Sequence, residues 1–132
     1  MNETLDVLGA PMIVKQAASL FVAECIVPPD HFVPPHRHDS DEELLYVMEG
    51  DLTLLDGAGE RTAGVGTCLR FERGTLHGFR NDSAAVVKLL VIGSPGIQLA
   101  EMFRHFDRAA KASPLAGPDI EAIAAEYGVR FG

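Results

Sequence analysis

The sequence predicts an all-β domain, an antiparallel sandwich or barrel, that ends in two α-helices. Eight or more short apolar segments follow one another between Met12 and Ile92, and turn-forming residues separate them. No helical periodicity interrupts this series, and apolar residues recur at helical spacing only after Pro95. Short strands without intervening helices are typical of antiparallel sandwiches and barrels.

Length and charge narrow the class of protein. The 132 residues suit one domain with a full hydrophobic core, and 11 basic against 19 acidic side chains give a net charge of −8. No cluster of Lys or Arg offers a footprint for phosphates, so we expect no nucleic-acid partner. The amino-terminal residues lack the pattern of a secretory signal, and the longest apolar stretch, Ala84 to Ile92, is broken by Lys88. We therefore expect a cytoplasmic protein that does not contact a membrane.

The first predicted strands precede a proline pair. The segment before Met12 has turn formers and little periodicity, whereas Met12 to Lys15 predicts a short strand at a sheet edge. Ser19 to Val27 predicts a longer strand that ends at Pro28-Pro29, because each proline removes a ladder donor. Cys25 and Cys68 lie in apolar strand-like segments far apart in sequence, so we expect two buried, reduced thiols.

The stretch that follows carries the strongest chemical signal. Pro28 to Pro35 should be stiff and extended, so His36 and His38 have less conformational entropy to lose. Histidines at positions i and i+2 of a strand project from the same side and can offer nitrogens to one metal ion. Glu43 then opens an apolar strand, which we expect to run back beside the first and bring a carboxylate to the same ion. The fourth candidate ligand, His77, lies farther along the chain.

The remaining strands are short and joined by turns that contain Gly, Asp or Asn. They are predicted at Leu44–Met48, Leu52–Leu55, Glu60–Ala63, Thr67–Phe71, Leu76–Phe79 and Ala84–Ile92.

Two helices are predicted after the strands. Ser94 followed by Pro95 is typical of a capped helix start, and a second helix is expected to begin at Pro118. We expect residues 1–95 to form the barrel and residues 96–132 a helical extension packed on the barrel or on a partner subunit. The apolar faces of the helices consist of Leu99, Met102, Phe103 and Phe106, and of Ile120, Ile123, Ala124 and Tyr127.

These residues together resemble the two motifs of the cupins, G-x5-H-x-H-x(3,4)-E-x6-G and G-x5-P-x-G-x2-H-x3-N. The residues that match are His36, His38, Glu43 and Gly50 in the first motif, and Gly66, Gly74, His77 and Asn81 in the second. Asp30 replaces the leading glycine and Glu72 replaces the proline, and both substitutions fall in turns that other residues can adopt. Glu42 competes with Glu43 as the acidic ligand, but the six-residue interval to Gly50 favours Glu43.

The resemblance implies a double-stranded β-helix of the jelly-roll kind that holds one divalent metal ion. The ligands would be His36, His38, Glu43 and His77, and the ion could be Fe, Mn, Ni, Cu, Co or Zn. The alternative is that the histidines are satisfied by hydrogen bonds, as in cupins that have lost their metal. The two other histidines, His31 and His105, lack such partners and are expected at the surface or the barrel rim, with the barrel mouth as the alternative for His31.

Strand alternation predicts an apolar pocket beside the ion. Leu45 and Val47 share a face with Glu43, and Phe79 shares a face with His77. Phe32 and Phe71 are further candidates for this pocket. An ordinary barrel core would explain the same aromatic residues equally well.

The tail after Pro95 is also similar to that of quercetin dioxygenase-like cupins, which implies a metal-dependent dioxygenase acting on a small oxygenated organic molecule. Glu43 would be the catalytic base if it shifted off the ion. Two alternatives stay open: a metal-dependent isomerase or decarboxylase, and a small-molecule-binding protein without catalysis. The resemblance and the exposed sheet edges of a barrel also favour a homodimer.

Overall fold

The computed structural model describes residues 3–132 and confirms a double-stranded β-helix with two carboxyl-terminal helices. Residues 1 and 2 of the predicted barrel segment lie outside this range. The helices are α1 (Ile97–Ala112) and α2 (Gly117–Ala125). The strands are β1 (Glu3–Val7), β2 (Ala10–Ala17), β3 (Phe21–Val27), β4 (Phe32–His38), β5 (Glu42–Glu49), β6 (Leu52–Asp56), β7 (Gly59–Ala63), β8 (Cys68–Phe71), β9 (His77–Arg80), β10 (Val87–Ser94) and β11 (Val129–Phe131).

Two antiparallel sheets enclose the core. The larger sheet has the order β1-β2-β3-β10-β5-β8, and the smaller sheet has the order β11-β4-β9-β6-β7. Burial alternates along the strands, as expected when one face of each sheet is packed inside. Phe21, Val47 and Leu89 of the larger sheet and Leu52 and Leu54 of the smaller sheet have no exposed surface.

The amino-terminal strands differ from the prediction. Residues 3–7 form β1, and β2 lies inside the sheet between β1 and β3, not at the edge. Leu8 and Gly9 join β1 to β2 in a two-residue turn, with φ angles of 55° and 96°. Two positive φ angles suit the twist of a hairpin. The turn formers therefore mark a hairpin that sequence periodicity alone did not detect.

The loop before β4 contains the residue that replaces the first motif glycine. Asp30 has a φ of 67°, the left-handed conformation that glycine adopts most readily. Aspartate tolerates this conformation better than most side chains do. The substitution thus preserves the turn that leads into the histidine-bearing strand.

Prolines within β4 are accommodated by an irregular register. The pairing of β4 with β9 shifts between Val33 and His36, so Pro34 and Pro35 lie where the ladder is interrupted. Gly78 of β9 faces this irregularity, and a Cβ atom there would lie 2.5 Å from the Val33 carbonyl oxygen. A glycine beside His77 therefore allows β9 to approach the proline pair.

Helix α1 is capped differently from the prediction. Ser94 ends β10, and the residue before the helix is Gly96, which has a φ of 83° and no side chain to cap with. The Asp41 carboxylate instead accepts hydrogen bonds from the backbone N–H groups of Gly96 (2.9 Å) and Leu99 (3.1 Å). Asp41 is 2% exposed, so this cap is supplied by tertiary structure and by a buried charge.

The carboxyl-terminal segment ends in a strand that sequence analysis missed. Strand β11 has three residues and pairs with β4, with Val129 opposite His38 and Phe131 opposite His36. Helix α1 packs against β1, where the Asp107 carboxylate accepts the Asp6 N–H at 2.8 Å. Neither helix has the length and apolarity needed to span a membrane.

The two cysteines have different environments. Cys25 is buried as expected, whereas Cys68 is exposed and lies on the outer face of the edge strand β8. The prediction of a buried thiol at Cys68 was wrong because its strand has one solvent-facing side. The two thiols are free in the structure.

We predict that Asp41→Ala lowers the free energy of unfolding by about 1–2 kcal/mol, because two buried N–H groups at the start of α1 lose their hydrogen-bond acceptor. Chemical denaturation followed by circular dichroism would measure the change. The matched control is Asp39→Ala, which removes an exposed ion pair with Arg130 and should leave the unfolding midpoint nearly unchanged. Equal midpoints for the Asp41 variant and the wild-type protein would contradict the capping role.

Candidate metal centre

The four predicted ligands lie together in the interior of the barrel. His36, His38, Glu43 and His77 each place one nitrogen or carboxylate oxygen within 4.8 Å of those of the others. None of the four residues is more than 9% exposed. The ring centroids of His36 and His77 are 4.6 Å apart, and those of His36 and His38 are 5.0 Å apart.

The cluster joins the two sheets. His36 and His38 belong to β4, and His77 lies on the adjacent β9 in register with His36. Glu43 is the second residue of β5, which pairs with β10 and β8 in the opposite sheet. The expected pairing of β4 with β5 was therefore wrong, since the polar connection after His38 crosses between sheets and does not form a hairpin. The carboxylate reaches the histidines from the facing sheet.

The backbone orients two of the imidazoles. Nδ1 of His36 lies 2.9 Å from the Pro34 carbonyl oxygen, and Nδ1 of His77 lies 2.9 Å from the Thr75 carbonyl oxygen. A carbonyl oxygen can only accept, so each Nδ1 carries a proton and donates it. Nε2 of both rings is then directed to the cluster, which is the arrangement found for many metal-binding histidines.

His38 shows most clearly that the cluster suits a cation. Its Nδ1 and Nε2 atoms are buried, and neither has a hydrogen-bond partner within residues 3–132. Its Nε2 lies 4.0 Å from Oε1 of Glu43. A buried imidazole without hydrogen bonds is costly unless a nitrogen lone pair binds a cation. Three imidazoles and one carboxylate are also a donor set that suits divalent transition metals.

Electrostatics keep the carboxylate ionised. Burial acts to raise the pKa of Glu43, but the hydrogen bond from His77 Nε2 at 2.9 Å and the nearby imidazoles lower it to about 2. Burial acts to lower the pKa of His77, but Glu43 raises it above its ordinary value. Burial, together with His77 and His38, lowers the pKa of His36 to about 4. At neutral pH the cluster therefore contains an anionic carboxylate beside a neutral His36.

Strand alternation separates the two candidate acids. Glu43 points inward, whereas Glu42 points to the opposite face and binds Arg70 through both carboxylate oxygens, at 2.9 and 3.1 Å. The motif spacing favoured Glu43 over its neighbour Glu42, and the two side chains lie on opposite faces of β5.

A largely apolar cavity of about 420 Å³ adjoins the cluster. Three of the predicted pocket residues line it: Phe32, Leu45 and Phe79. The other two do not. Val47 is fully buried in the core, and Phe71 stacks on the His77 ring with a centroid distance of 4.0 Å and an interplanar angle of 2°. Phe71 therefore orients a candidate ligand and does not form the cavity wall.

Several residues that line the cavity were not identified from the sequence. They are Met12, Cys25, Met102, Phe106, Ile120 and Phe131. Strand alternation could have placed Met12 and Cys25 on the inner face of neighbouring strands and so identified them as lining residues. Nothing in the sequence shows where the helices pack. Burial and the charge of Glu43 raise the pKa of Cys25 to about 12, so its thiol stays neutral.

The remaining histidines lie outside the cluster. His31 lines the cavity, and burial lowers its pKa although Asp6 acts in the opposite sense. Nδ1 of His105 lies 2.9 Å from the Tyr127 hydroxyl, near the junction of the two helices.

We expect the metal-free protein to lose stability as the pH falls from about 6.5 to 4. In this range the unfolded chain binds a proton at His36 that the folded cluster excludes, so protonation favours unfolding. His77 acts in the opposite sense, because its raised pKa contributes stability below pH 6.5 that is lost as the pH rises through its folded pKa.

Urea midpoints of chelator-treated protein, measured from pH 4 to pH 8, would test this expectation. His36→Gln should flatten the decline below pH 6.5, whereas His105→Gln should leave it in place. An equally steep decline in the His36 variant would show that other groups cause it.

Comparison with known proteins identifies the fold family. The family model of the Cupin_2 cupin domain matches residues 23–93. No curated protein sequence matches the chain. A sugar phosphate isomerase of the cupin superfamily from Silicibacter pomeroyi is similar in structure, with 26% identity, a TM-score of 0.62, and coverage of 67% of this chain and 61% of its own.

Two other solved structures are also similar to the chain. The polyketide cyclase RemF from Streptomyces resistomycificus has 25% identity and a TM-score of 0.59, with 65% of each chain covered. KdgF from Halomonas sp. has 18% identity and a TM-score of 0.63, with 70% of this chain and 87% of its own covered. The match spans less than two thirds of the isomerase and of the cyclase. Since the family model covers more than half of the 132 residues and includes all four clustered side chains, the chain belongs to the Cupin_2 family of cupin domains.

Proposed function

We propose that this cupin binds one divalent transition metal ion through His36, His38, Glu43 and His77 and uses it to transform a small oxygenated organic molecule. The ion would be Fe, Mn, Ni, Cu, Co or Zn. The observation that supports metal binding most directly is the buried His38 imidazole, whose nitrogens have no hydrogen-bond partner in residues 3–132. The cavity beside the cluster supports a small-molecule substrate.

The first reaction that we propose is a dioxygenation. When bound, the ion would supply a Lewis acid with open positions for a substrate oxygen and for dioxygen. The apolar cavity wall, including Leu45 and Phe79, would keep water away from the substrate.

Glu43 is the catalytic residue in this proposal. Its ionised carboxylate lines the cavity and, after shifting off the ion, would accept the proton of a substrate hydroxyl. In the metal-free protein His77 Nε2 donates to Glu43 Oε1 at 2.9 Å, and in the loaded protein the same nitrogen would instead bind the ion beside Glu43. Phe71 and the Thr75 carbonyl would hold the His77 ring in the required orientation.

A second candidate is a reaction without dioxygen, such as an isomerisation or decarboxylation in which the same ion acts only as a Lewis acid. The similar structures with 26% and 25% identity favour it, because they are a sugar phosphate isomerase and a polyketide cyclase and neither name is that of an oxygenase. The same cluster and the same cavity would serve both reactions.

Metal analysis tests the ligand assignment. We expect untagged wild-type protein to bind about one transition metal ion per chain, and His77→Ala to lose most of it because one of four donors is removed. His105→Ala is the matched control and should keep the wild-type metal content, since its ring contacts Tyr127 and not the cluster. A metal-free wild-type protein, or a His77 variant that keeps all of its metal, would contradict the assignment.

Oxygen uptake separates the two reaction classes. With the Fe-loaded protein and a flavonol such as quercetin, dioxygenation predicts consumption of about one dioxygen per substrate molecule. Glu43→Gln should reduce the rate by about 100-fold or more, because it removes both the proton acceptor and the anionic metal ligand. Substrate conversion at an unchanged rate without dioxygen would favour the Lewis-acid reaction.

We also propose that the chain forms a homodimer through the outer face of the larger sheet. Ile92 of β10 lies opposite both Val22 of β3 and Leu44 of β5, and all three are partly exposed. Tyr46, 39% exposed, continues this apolar row. A twofold axis would place the row against its own copy. Sedimentation should then show a dimer for the wild-type protein and a monomer for Leu44→Glu, and a wild-type monomer would refute this arrangement.

A further inference from the structure

We propose that the carboxyl-terminal extension, residues 96–132, forms one wall of the substrate cavity and makes it selective for apolar, ring-containing molecules that carry one oxygenated end and no phosphate. The inference rests on the proposed function only where it assumes that the ligand's oxygenated end binds a metal ion held by the cluster. The selectivity rests on the cavity itself.

The extension and the barrel contribute facing walls. Met102 and Phe106 of α1 lie one helical turn apart, are at most 5% exposed and line the cavity. Ile120 of α2 and Phe131 of β11 also belong to this wall. The barrel contributes apolar residues on the other side, among them Leu45. A ligand held between these walls would contact hydrocarbon and aromatic surface over most of its length.

The last strand holds this wall at a fixed distance from the metal ligands. Phe131 is in register with His36, and their ring centroids are 5.9 Å apart. The Gly132 N–H donates to the Pro35 carbonyl at 3.1 Å, and the Asp39 N–H donates to the Gly128 carbonyl at 2.8 Å. Because both ends of β11 are bonded to β4, the wall of the extension and the histidine-bearing strand form one unit.

The polar groups in the cavity do not suit a phosphate. Apart from the metal cluster, the charged or titratable side chains among the described lining residues are His31, Glu121 and the neutral thiol of Cys25, and none of these residues is Lys or Arg. Phosphate is usually bound by guanidinium or ammonium groups or by a free helix amino terminus. The Asp119 carboxylate lies in the first turn of α2, where it accepts the Ala116 N–H at 2.9 Å and would repel a phosphate.

The dimensions of the cavity suit a ligand of about two fused rings. Its volume of about 420 Å³ lies in the usual range for small-ligand sites. The cluster at one side would bind adjacent oxygens of such a ligand, and the rings would extend between the apolar walls. A second ring that buries its faces there should strengthen binding by about tenfold.

Calorimetric titration of the Co²⁺-loaded protein tests the selectivity with three probes. We expect 2,3-dihydroxynaphthalene to bind about tenfold more tightly than catechol, and glucose 6-phosphate to bind more weakly than either. Equal affinity for the two diols, or tighter binding of glucose 6-phosphate, would overturn the proposal.

Variants of the extension locate the effect. Ile120→Asp should weaken 2,3-dihydroxynaphthalene binding by about tenfold while changing catechol and Co²⁺ affinity by less than about twofold. Ile97→Asp is the control on α1, because Ile97 is 59% exposed and is not among the residues that line the cavity. Ile120→Asn serves the same purpose if the charged variant does not fold. If a folded Ile120 variant binds 2,3-dihydroxynaphthalene with wild-type affinity, the extension is not the wall that makes the cavity selective.

Titration of chelator-treated protein with 2-naphthol, followed by naphthol fluorescence, separates this inference from the proposed function. If Co²⁺ fails to bind but 2-naphthol binds and Ile120→Asp weakens it, the metal assignment fails and the apolar cavity stands. If Co²⁺ binds and 2-naphthol does not, the metal assignment stands and the selectivity proposed here is wrong.

Discussion

A buried carboxylate surrounded by three imidazoles is the interaction on which the candidate metal centre of this protein depends. Glu43 comes from the larger sheet and the histidines from the smaller one, so the cluster joins the two halves of the barrel. A lone carboxylate at this depth would be strongly disfavoured, and the hydrogen bond from His77 is what keeps it ionised. The position of each imidazole is therefore tied to the position of one charge.

The surrounding structure serves that arrangement. The carbonyl oxygens of Pro34 and Thr75 orient the rings of His36 and His77, and Phe71 stacks on the face of the His77 ring. Gly78 allows β9 to lie close to the irregular proline segment of β4. These features are mostly backbone groups or rigid rings, so the donor atoms are held by parts of the structure that have few alternative conformations.

The carboxyl-terminal extension links the site to the rest of the chain. Asp41, two residues before Glu43, accepts the first N–H groups of α1, and β11 pairs with the histidine-bearing β4. Both connections end close to the cluster. The extension is thus anchored beside the ligands, which is why it contributes to the cavity wall.

The sequence by itself determined the strand-rich fold, the two helices and the four clustered side chains. Alternating apolar residues, turn formers and two spaced motifs are local patterns, and even Asp30, in the place of a motif glycine, adopts the left-handed conformation that the turn requires. Tertiary structure alone decided the partner of β5, the cap of α1, the pairing of β11 and the helical wall of the cavity. Each of these depends on contacts between segments distant in sequence, as with Asp41 and Gly96, which are 55 positions apart. Residue spacing indicates which face of its own helix or strand a side chain occupies, but it does not indicate which other element packs against that face.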